Sequence, residues 1–281
     1  MGMHEPLTIR VAHSPDSDDA FMFWALSTGR IPTGDLRYEH VLKDIETLNR
    51  EALTGTYEVT ALSFHAYAYL AGGYALLPHG ASFGDGYGPV LVARRGFKEA
   101  DLAAIEVAIP GERTTAALAL KLWRQGLRTR VMPFDAIQPA VLSGEVPAGL
   151  LIHEGQLTYA EEGLVKILDL GEWWKAETGL PLPLGGNGIR KDLGTALMTT
   201  VSRHLRASIA YGLEHRAEGL AHAETFSRGL PREKTDRFVG MYVNDWTLDY
   251  GEKGRRAVAL LLERGHAAGI LPARVVPEFT A

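Results

Sequence analysis

The sequence of 281 residues predicts an α/β fold with two lobes. Short apolar runs alternate with amphipathic segments along the first two thirds of the chain, which is typical of parallel-rich sheets with crossover helices. A Pro/Gly-rich stretch at 180–188 ends this alternation, and the chain that follows has helical periodicity. This late helical block has too few strands to form a domain alone. We therefore expect a discontinuous large domain at 1–95 and 187–281, and an inserted domain at 96–186.

The first series of elements comes before residue 95. Apolar runs predict strands at 7–12, 36–42, 58–62, 74–77 and 89–94, and helical periodicity predicts helices at 20–28, 45–53 and 64–71. Asp18 or Asp19 can cap the first helix, Asp44 the second and Ser63 the third, because these side chains accept from free N–H groups.

A second series begins near residue 105. The same patterns predict strands at 105–109, 129–133, 148–152 and 165–170, with helices at 114–124 and 135–142. After the Pro/Gly-rich stretch, we expect helices at roughly 192–213, 217–227, 232–241 and 252–268.

The composition excludes several classes of function. The net charge of −5 gives no electrostatic footprint for nucleic acid or for an anionic membrane. The absence of cysteine excludes disulfides, thiolate catalysis and cysteine-based metal sites. The ten histidines show no HExxH-like spacing, so we expect no metal. No apolar signal segment precedes the first strand and no run reaches transmembrane length, so we expect a cytoplasmic protein.

His153 is the most informative single residue, because it directly follows the predicted strand at 148–152. In open α/β folds, ligands bind outside the carboxyl ends of the strands, and histidine titrates near neutral pH. A histidine here can also simply bond a neighbouring carbonyl. The sequence leaves both readings open.

Two predicted helices begin with small hydroxyl residues directly after a strand. Ser63 begins one, and Thr114-Thr115-Ala116 begins another in the second lobe. Free N–H groups at a helix start attract anions, so two such starts facing each other across a cleft predict a bound carboxylate. The alternative is that both are ordinary helix caps.

Asn49 and the acidic turn after the first strand are further candidates. Asn49 shares a helix face with Ile45, Leu48 and Ala52, so its amide must bond either backbone or ligand. Asp16, Asp18 and Asp19 crowd one turn, and capping needs only one of them. The cluster is a weak metal site, because no further ligand has suitable spacing.

Motifs spread over nearly the whole chain resemble those of one family. They are Ser14-Pro15 with Asp19 and Phe21, Asp44-Ile45-Glu46-Thr47-Leu48-Asn49-Arg50, Leu62-Ser63, Gly88-Pro89, Thr114-Thr115-Ala116, Gly149-Leu150-Leu151-Ile152-His153-Glu154, and Thr178-Gly179-Leu180-Pro181. Together they resemble the 1,4-dihydroxy-6-naphthoate synthases of the futalosine route to menaquinone. The resemblance implies a fold like that of type 2 periplasmic binding proteins, with mixed sheets, flanking helices and a ligand cleft between two lobes.

The resemblance also implies roles for individual residues. The family's histidine base falls on His153, and its cleft Asp and Asn fall on Asp19 and Asn49. Its ligand-contacting positions fall on Ser63, Thr115 and Ala116, and we expect their neighbours Ala61, Leu62 and Thr114 to join the substrate-binding set. Three departures remove or reverse charge near the expected cleft: Ala61, the Asp18-Asp19-Ala20 run, and Asp85.

The implied function is that of a lyase that converts cyclic dehypoxanthinyl futalosine to 1,4-dihydroxy-6-naphthoate by base-initiated C–C cleavage. The implied partner is a small carboxylate substrate, and no cofactor is expected. One alternative is the sister family, chorismate dehydratase, which shares the fold but typically lacks the His-Glu pair. The other is a cytoplasmic small-acid-binding or sensor protein of the same fold.

Overall fold

The structure, a computed structural model, describes residues 6–280 as two β-sheets flanked by helices. The strands of the described chain are β1 (Leu7–His13), β2 (Leu36–Leu42), β3 (Val59–Ser63), β4 (Tyr74–Leu76), β5 (Ser82–Gly84), β6 (Val90–Arg94), β7 (Glu106–Ile109), β8 (Arg128–Val131), β9 (Ala148–Leu151), β10 (Leu164–Asp169) and β11 (Leu182–Arg190). The helices are α1 (Ser17–Ser27), α2 (Ile45–Ala52), α3 (Phe64–Leu70), α4 (Thr115–Trp123), α5 (Phe134–Ser143), α6 (Gly155–Thr158), α7 (Leu170–Thr178), α8 (Thr195–Glu214), α9 (Arg216–Glu224), α10 (Arg232–Tyr242), α11 (Asp245–Leu248) and α12 (Gly251–Ala267).

Both sheets contain parallel and antiparallel pairs, so the expected α/β fold with mixed sheets is confirmed. The first sheet has the order β2-β1-β3-β11-β4, with β5 also paired to β11. Its β1 runs parallel to β2 and β3, whereas β11 runs antiparallel to β3, β4 and β5. The second sheet has the order β10-β6-β9-β7-β8, in which β7 runs parallel to its two neighbours and β6 antiparallel to its own.

The Pro/Gly-rich stretch that the sequence analysis placed between elements is instead the strand β11. This strand lies inside the first sheet, and its glycines serve close packing rather than turns. A Cβ at Gly186 would overlap the buried Tyr250 hydroxyl and approach the Phe64 ring. Pro183 stands beside the irregularity in the pairing with β5, where the sheet tolerates a missing N–H donor. Composition gives no sign of a strand here because it cannot reveal which neighbours will crowd a backbone.

Other differences are local. The helix α7, which was not expected from the sequence, follows β10 directly. Asp169 caps it by accepting from the N–H groups of Gly171 and Glu172. The first helix begins at Ser17, so the capping position is Asp16 rather than Asp18 or Asp19. The four late helices lie where the periodicity predicts them, within a few residues.

The strand pairing bears on where two lobes would divide. Strand β6 pairs only in the second sheet, although the boundary at 95/96 would assign it to the first lobe. Strand β11 pairs in the first sheet from Leu182 onward, before the boundary at 186/187. Both sheet crossings therefore come earlier in the chain than the predicted boundaries. The division into domains remains a proposal.

A single hydrophobic cluster spans both sheets. It joins Leu62 of β3 and Val107 of β7 to Leu118 of α4 and Leu261 of α12, all fully buried. Fully buried aliphatic side chains each contribute roughly 1.5–3 kcal/mol of transfer free energy. This shared core holds the cleft-facing edges of the two sheets close together. In residues 6–280, no helix combines the length and apolar character that crossing a membrane requires.

Candidate functional site

A cavity lies where the two sheets meet, with about 750 Å³ of space that is partly open to solvent. Its walls come from the turn after β1, the β3–α3 junction, the start of α4, the segment after β9 and the middle of β11. The residues that line it are Ser14, Asp16, Asp18, Asp19, Ile45, Ala61, Leu62, Ser63, Gly80, Ser82, Pro89, Thr114, Thr115, Ala116, Ile152, His153, Gln156, Leu184, Gly185, Gly186, Asn187, Phe238 and Tyr242.

The half-buried His153 and the buried Asp16 form a pair in the wall of this cavity. The Nδ1 atom of His153 lies 3.0 Å from Oδ2 of Asp16, which leaves Nε2 as the ring nitrogen available to a ligand. Burial by itself disfavours the charged imidazole, but the charge and hydrogen bond of Asp16 outweigh it and raise the pKa of His153. Burial likewise opposes the charged carboxylate, yet His153 lowers the pKa of Asp16 to about 2. The pair is the arrangement of a base and the carboxylate that orients it.

The backbone at His153 is strained. Its φ is +53°, in the left-handed region that non-glycine residues rarely adopt. Such residues cost on the order of 1–3 kcal/mol and cluster at functional sites. Nearby packing fixes the ring as well, since the Phe134 ring lies edge-on at 4.8 Å between centroids.

Asp18 and Asp19 surround the pair with two further carboxylates. One carboxylate oxygen from each of Asp16, Asp18 and Asp19 lies within 4.8 Å of the others. Burial, and then the charge of Asp16, raise the pKa of both Asp18 and Asp19 well above the usual range. Asp19 also accepts from the N–H of Ser14 at 2.8 Å. This cluster is where a cation would be held, and the expectation that no metal binds stays a prediction.

Two charged groups lie next to His153 without lining the cavity, in the region here called the His153 end. Glu154 is buried, and Arg228 donates to it at 2.9 Å. Glu154 belongs to one of the family motifs, but no sequence pattern indicates a role for Arg228, since it lies 74 residues from Glu154 along the chain. Sequence reasoning also missed Gln156, Tyr242 and Asn187 as lining residues. The Tyr242 hydroxyl donates to Gln156 at 2.7 Å, a contact that no local pattern predicts.

Ser63, held by Asn49, forms another part of the cavity wall, here called the Ser63 end. Asn49 accepts from the N–H of Ser63 at 2.9 Å and donates to its hydroxyl oxygen at 3.1 Å. The Ser63 side chain does not cap its own helix. Because its oxygen accepts from Asn49, its hydroxyl hydrogen is free to point at a ligand. Asn49 itself does not line the cavity; it satisfies its buried amide by fixing Ser63.

Thr114 and Thr115 have different roles at the start of α4. The Thr114 hydroxyl donates to the carbonyl of Gly111 and accepts from the N–H of Ala117, so it caps the helix. The Thr115 hydroxyl accepts from the N–H of His65 at 3.3 Å, which joins the starts of α3 and α4. Its hydrogen is therefore free, like that of Ser63. The structure brings the two predicted helix starts together.

The remaining predicted positions divide clearly. Ala61, Leu62 and Ala116 line the cavity, as does Asp18, whereas Asp85 does not. Asp85 instead forms an ion pair with Lys175 of α7. Asp85 therefore lies outside the cavity lining, and its expected effect on the charge of the cleft stays a prediction. The site thus combines the hydroxyl donors of Ser63 and Thr115 with an imidazole, His153, that lies among carboxyl groups.

Solved structures of similar fold include sulfonate-binding proteins. The chain aligns with the alkanesulfonate-binding protein of Xanthomonas axonopodis pv. citri with a TM-score of 0.71 and 14% identity, covering 98% of this chain and 97% of that one. The aliphatic sulphonate-binding protein of Escherichia coli aligns with a TM-score of 0.65 and 14% identity, covering 96% and 90%. The fold is thus that of the periplasmic binding proteins, as expected.

Family comparisons are more specific. The menaquinone biosynthesis family matches residues 9–267. The 1,4-dihydroxy-6-naphthoate synthase of Thermus thermophilus is 42% identical, covering 96% of this chain and 98% of that protein, and the synthase of Streptomyces coelicolor is 37% identical, covering 95% of each. A solved structure from Archaeoglobus fulgidus is 50% identical with a TM-score of 0.90, covering 95% of this chain and all of that one. The chain belongs to the menaquinone biosynthesis family.

Proposed function

We propose that this protein is a lyase that converts cyclic dehypoxanthinyl futalosine to 1,4-dihydroxy-6-naphthoate and a three-carbon fragment. The observation that carries the proposal is the His153–Asp16 pair in the cavity wall, because a binding protein needs no oriented base on a strained backbone. The names of the two synthase relatives support the reaction. Since their likeness extends over nearly the full length, it includes every wall of the cavity.

In this proposal, His153 is the general base. With Nδ1 donating to Asp16, the neutral ring has its lone pair on Nε2, where it can accept a proton from a substrate hydroxyl. Loss of that proton starts a retro-aldol-type cleavage, in which the hydroxyl carbon becomes a carbonyl and the adjacent C–C bond breaks. The electron pair of that bond passes to the ring fragment as an enolate, which takes up a proton to become a ring hydroxyl. Aromatisation of the remaining ring system drives the step. Asp16 stabilises the imidazolium that forms.

The substrate carboxylate would bind at the Ser63 end. The free hydroxyl hydrogens of Ser63 and Thr115 supply two donors, and charge-assisted hydrogen bonds of this type are roughly twice as strong as neutral ones. The negative charge of Asp16 disfavours a second anion beside His153, so it favours the orientation in which another part of the substrate meets the base. No cofactor takes part in this scheme, so activity should persist after treatment with EDTA.

Turnover of the cyclic substrate by the purified protein tests the proposal. We expect naphthoate to form, followed by its absorbance and identified by mass. Dehydration of chorismate without naphthoate formation would instead assign the sister activity. Saturable binding of either acid without turnover would make the protein a binding or sensor protein.

A further inference from the structure

We propose that Arg228 is a positioning residue for the His153–Asp16 pair. It contacts Glu154, the neighbour of His153, and the carbonyl of Pro15, the neighbour of Asp16. Arg228 lies in the loop between α9 and α10 and does not line the cavity. It therefore acts through other residues rather than on the substrate. The inference rests on the proposed function, in which His153 is the base.

The contacts of Arg228 reach both partners of the pair. Its Nη1 atom donates to Oε2 of Glu154 at 2.9 Å, and Glu154 directly follows His153. Its Nη2 atom donates to the carbonyl oxygen of Pro15 at 3.3 Å, and Pro15 directly precedes Asp16. One planar guanidinium thus joins the two chain segments whose side chains must meet. The rigid fork of arginine suits this better than the single flexible point charge of lysine.

A third contact reaches the ring of the base. The guanidinium carbon lies 4.8 Å from the centre of the Phe134 ring, and that ring packs edge-on against His153 at 4.8 Å between centroids. A guanidinium this close to an aromatic ring is attracted to its electron-rich face. Arg228 therefore restrains the imidazole through its packing neighbour as well as through the backbone.

His153 and Arg228 both have a strained backbone conformation. Among the residues that the structure describes, His153 and Arg228 are the two non-glycine residues with positive φ, each at +53°. Neither conformation persists without surrounding contacts that determine it. Arg228 contacts Glu154, 74 residues away in sequence, and Glu154 directly follows His153, so this ion pair connects the two strained positions.

The charges around His153 give the proposal a measurable signature. Asp16 and Glu154 raise the pKa of His153, Arg228 lowers it, and Asp19 also faces the ring. Loss of the positive charge of Arg228 should raise the pKa of His153. Loss of the negative charge of Glu154 should lower it.

The experiment compares Arg228→Met, Arg228→Lys and Glu154→Gln, with Lys234→Met as the matched control. Lys234 on α10 pairs with exposed Glu161, so it also links α10 to the segment after β9 but does not contact His153. Two readouts are taken: the pKa of His153 by NMR in ligand-free protein, assigned by loss of its signal in His153→Gln, and the pH profile of kcat/KM.

We expect Arg228→Met to lower kcat roughly tenfold with little change in KM, because a displaced base affects the transition state more than binding. The pKa of His153 should rise in Arg228→Met, fall in Glu154→Gln and stay constant in Lys234→Met. Arg228→Lys should recover part of kcat. If Arg228→Met does not fold, Arg228→Lys and Glu154→Gln still test the contact.

An unchanged pKa of His153 in both Arg228→Met and Glu154→Gln would overturn the proposal, and Arg228 would then be an ordinary surface ion pair. Equal effects of Arg228→Met and Lys234→Met would overturn it too, since any link between the segments would suffice. Full activity of His153→Ala would contradict the base assignment instead, while the NMR shifts would still report on the Arg228 contacts.

Discussion

The His153 end and the Ser63 end of the cavity differ in charge and in backbone strain. At the His153 end, an imidazole and three carboxyl groups lie together beside a backbone with positive φ. At the Ser63 end, the side chains of Ser63, Asn49 and Thr115 are neutral and hydrogen-bonded. Strained backbone and clustered carboxyl groups cost stability, whereas hydrogen-bonded neutral groups cost little, so we expect the first end to serve reactivity and the second to serve binding.

The largest expected effect comes from removing the base. His153→Ala should lower kcat by roughly 100- to 10,000-fold, the usual contribution of a positioned base. Affinity for a product analogue, measured by calorimetry, should stay nearly unchanged, because the Ser63 end is intact. Near-normal turnover of His153→Ala would make this residue structural. The two ends of the cavity would then not differ in reactivity.

The second effect concerns the orienting carboxylate. Asp16→Asn should lower kcat by roughly 100-fold, since the imidazolium loses its stabilising charge. The pKa of His153 lies above its ordinary 6.5 because of Asp16, so the acidic limb of the pH–kcat/KM profile should begin above 6.5 in the wild type. In Asp16→Asn this limb should move to lower pH. A limb that stays in place would show that another group titrates.

The third effect tests the neutral end. Ser63→Ala and Thr115→Val should each weaken substrate binding by about 1.5–3 kcal/mol, the usual value of hydrogen bonds to a charged group. An esterified analogue should be nearly indifferent to both changes. Thr114→Val is the matched control: its hydroxyl only caps α4, so it should cost about 1 kcal/mol of stability without changing the preference for acid over ester. Equal losses for acid and ester at Ser63 and Thr115 would reduce them to structural residues.

The smallest effect is a gain in stability at the acidic end. The pKa of Asp18 is raised by burial and by Asp16, so its charged form destabilises the folded state. This cost is absent below the ordinary pKa of the carboxyl group and grows as pH rises through the folded-state pKa. Asp18→Asn should therefore raise Tm more at pH 8 than at pH 4, although α1 loses a favourable charge in its first turn. Asp35→Asn, an exposed control, should leave Tm unchanged at both pH values. A larger gain at pH 4 would contradict the sign of this coupling.

Prediction from sequence succeeded where the signal is local. Alternation of apolar residues placed most strands, and the end of β9 identified His153, since a strand end and a titratable side chain are both visible in a short window. The two helix starts followed from strand–hydroxyl junctions in the same way. That the two helix starts lie close together was inferred from the two-lobed fold. The hydrogen bond from the N–H of His65 to the hydroxyl of Thr115 joins them.

Failures came from long-range contacts. No strand was expected at Gly186 and Gly188, because the crowding by Tyr250, Phe64 and Leu62 that requires glycine is set by distant residues. The sequence could not decide whether the Asn49 amide bonds a ligand or the backbone, because its partner, Ser63, lies on another element. Nothing in a Ser-Arg-Gly turn reveals that Arg228 will reach Glu154.

The position of β11 also determines the order in which the protein can fold during synthesis. Among the described strands, β4 and β5 have only β11 as a sheet neighbour. They therefore cannot join the sheet during synthesis until residues 182–190 have left the ribosome. The strands of the second sheet, from β6 to β10, are contiguous in the chain and can pair earlier. The nascent chain therefore exposes an incomplete first sheet while the second one forms, and this long-range pairing makes closure of the first sheet the slow, aggregation-prone stage.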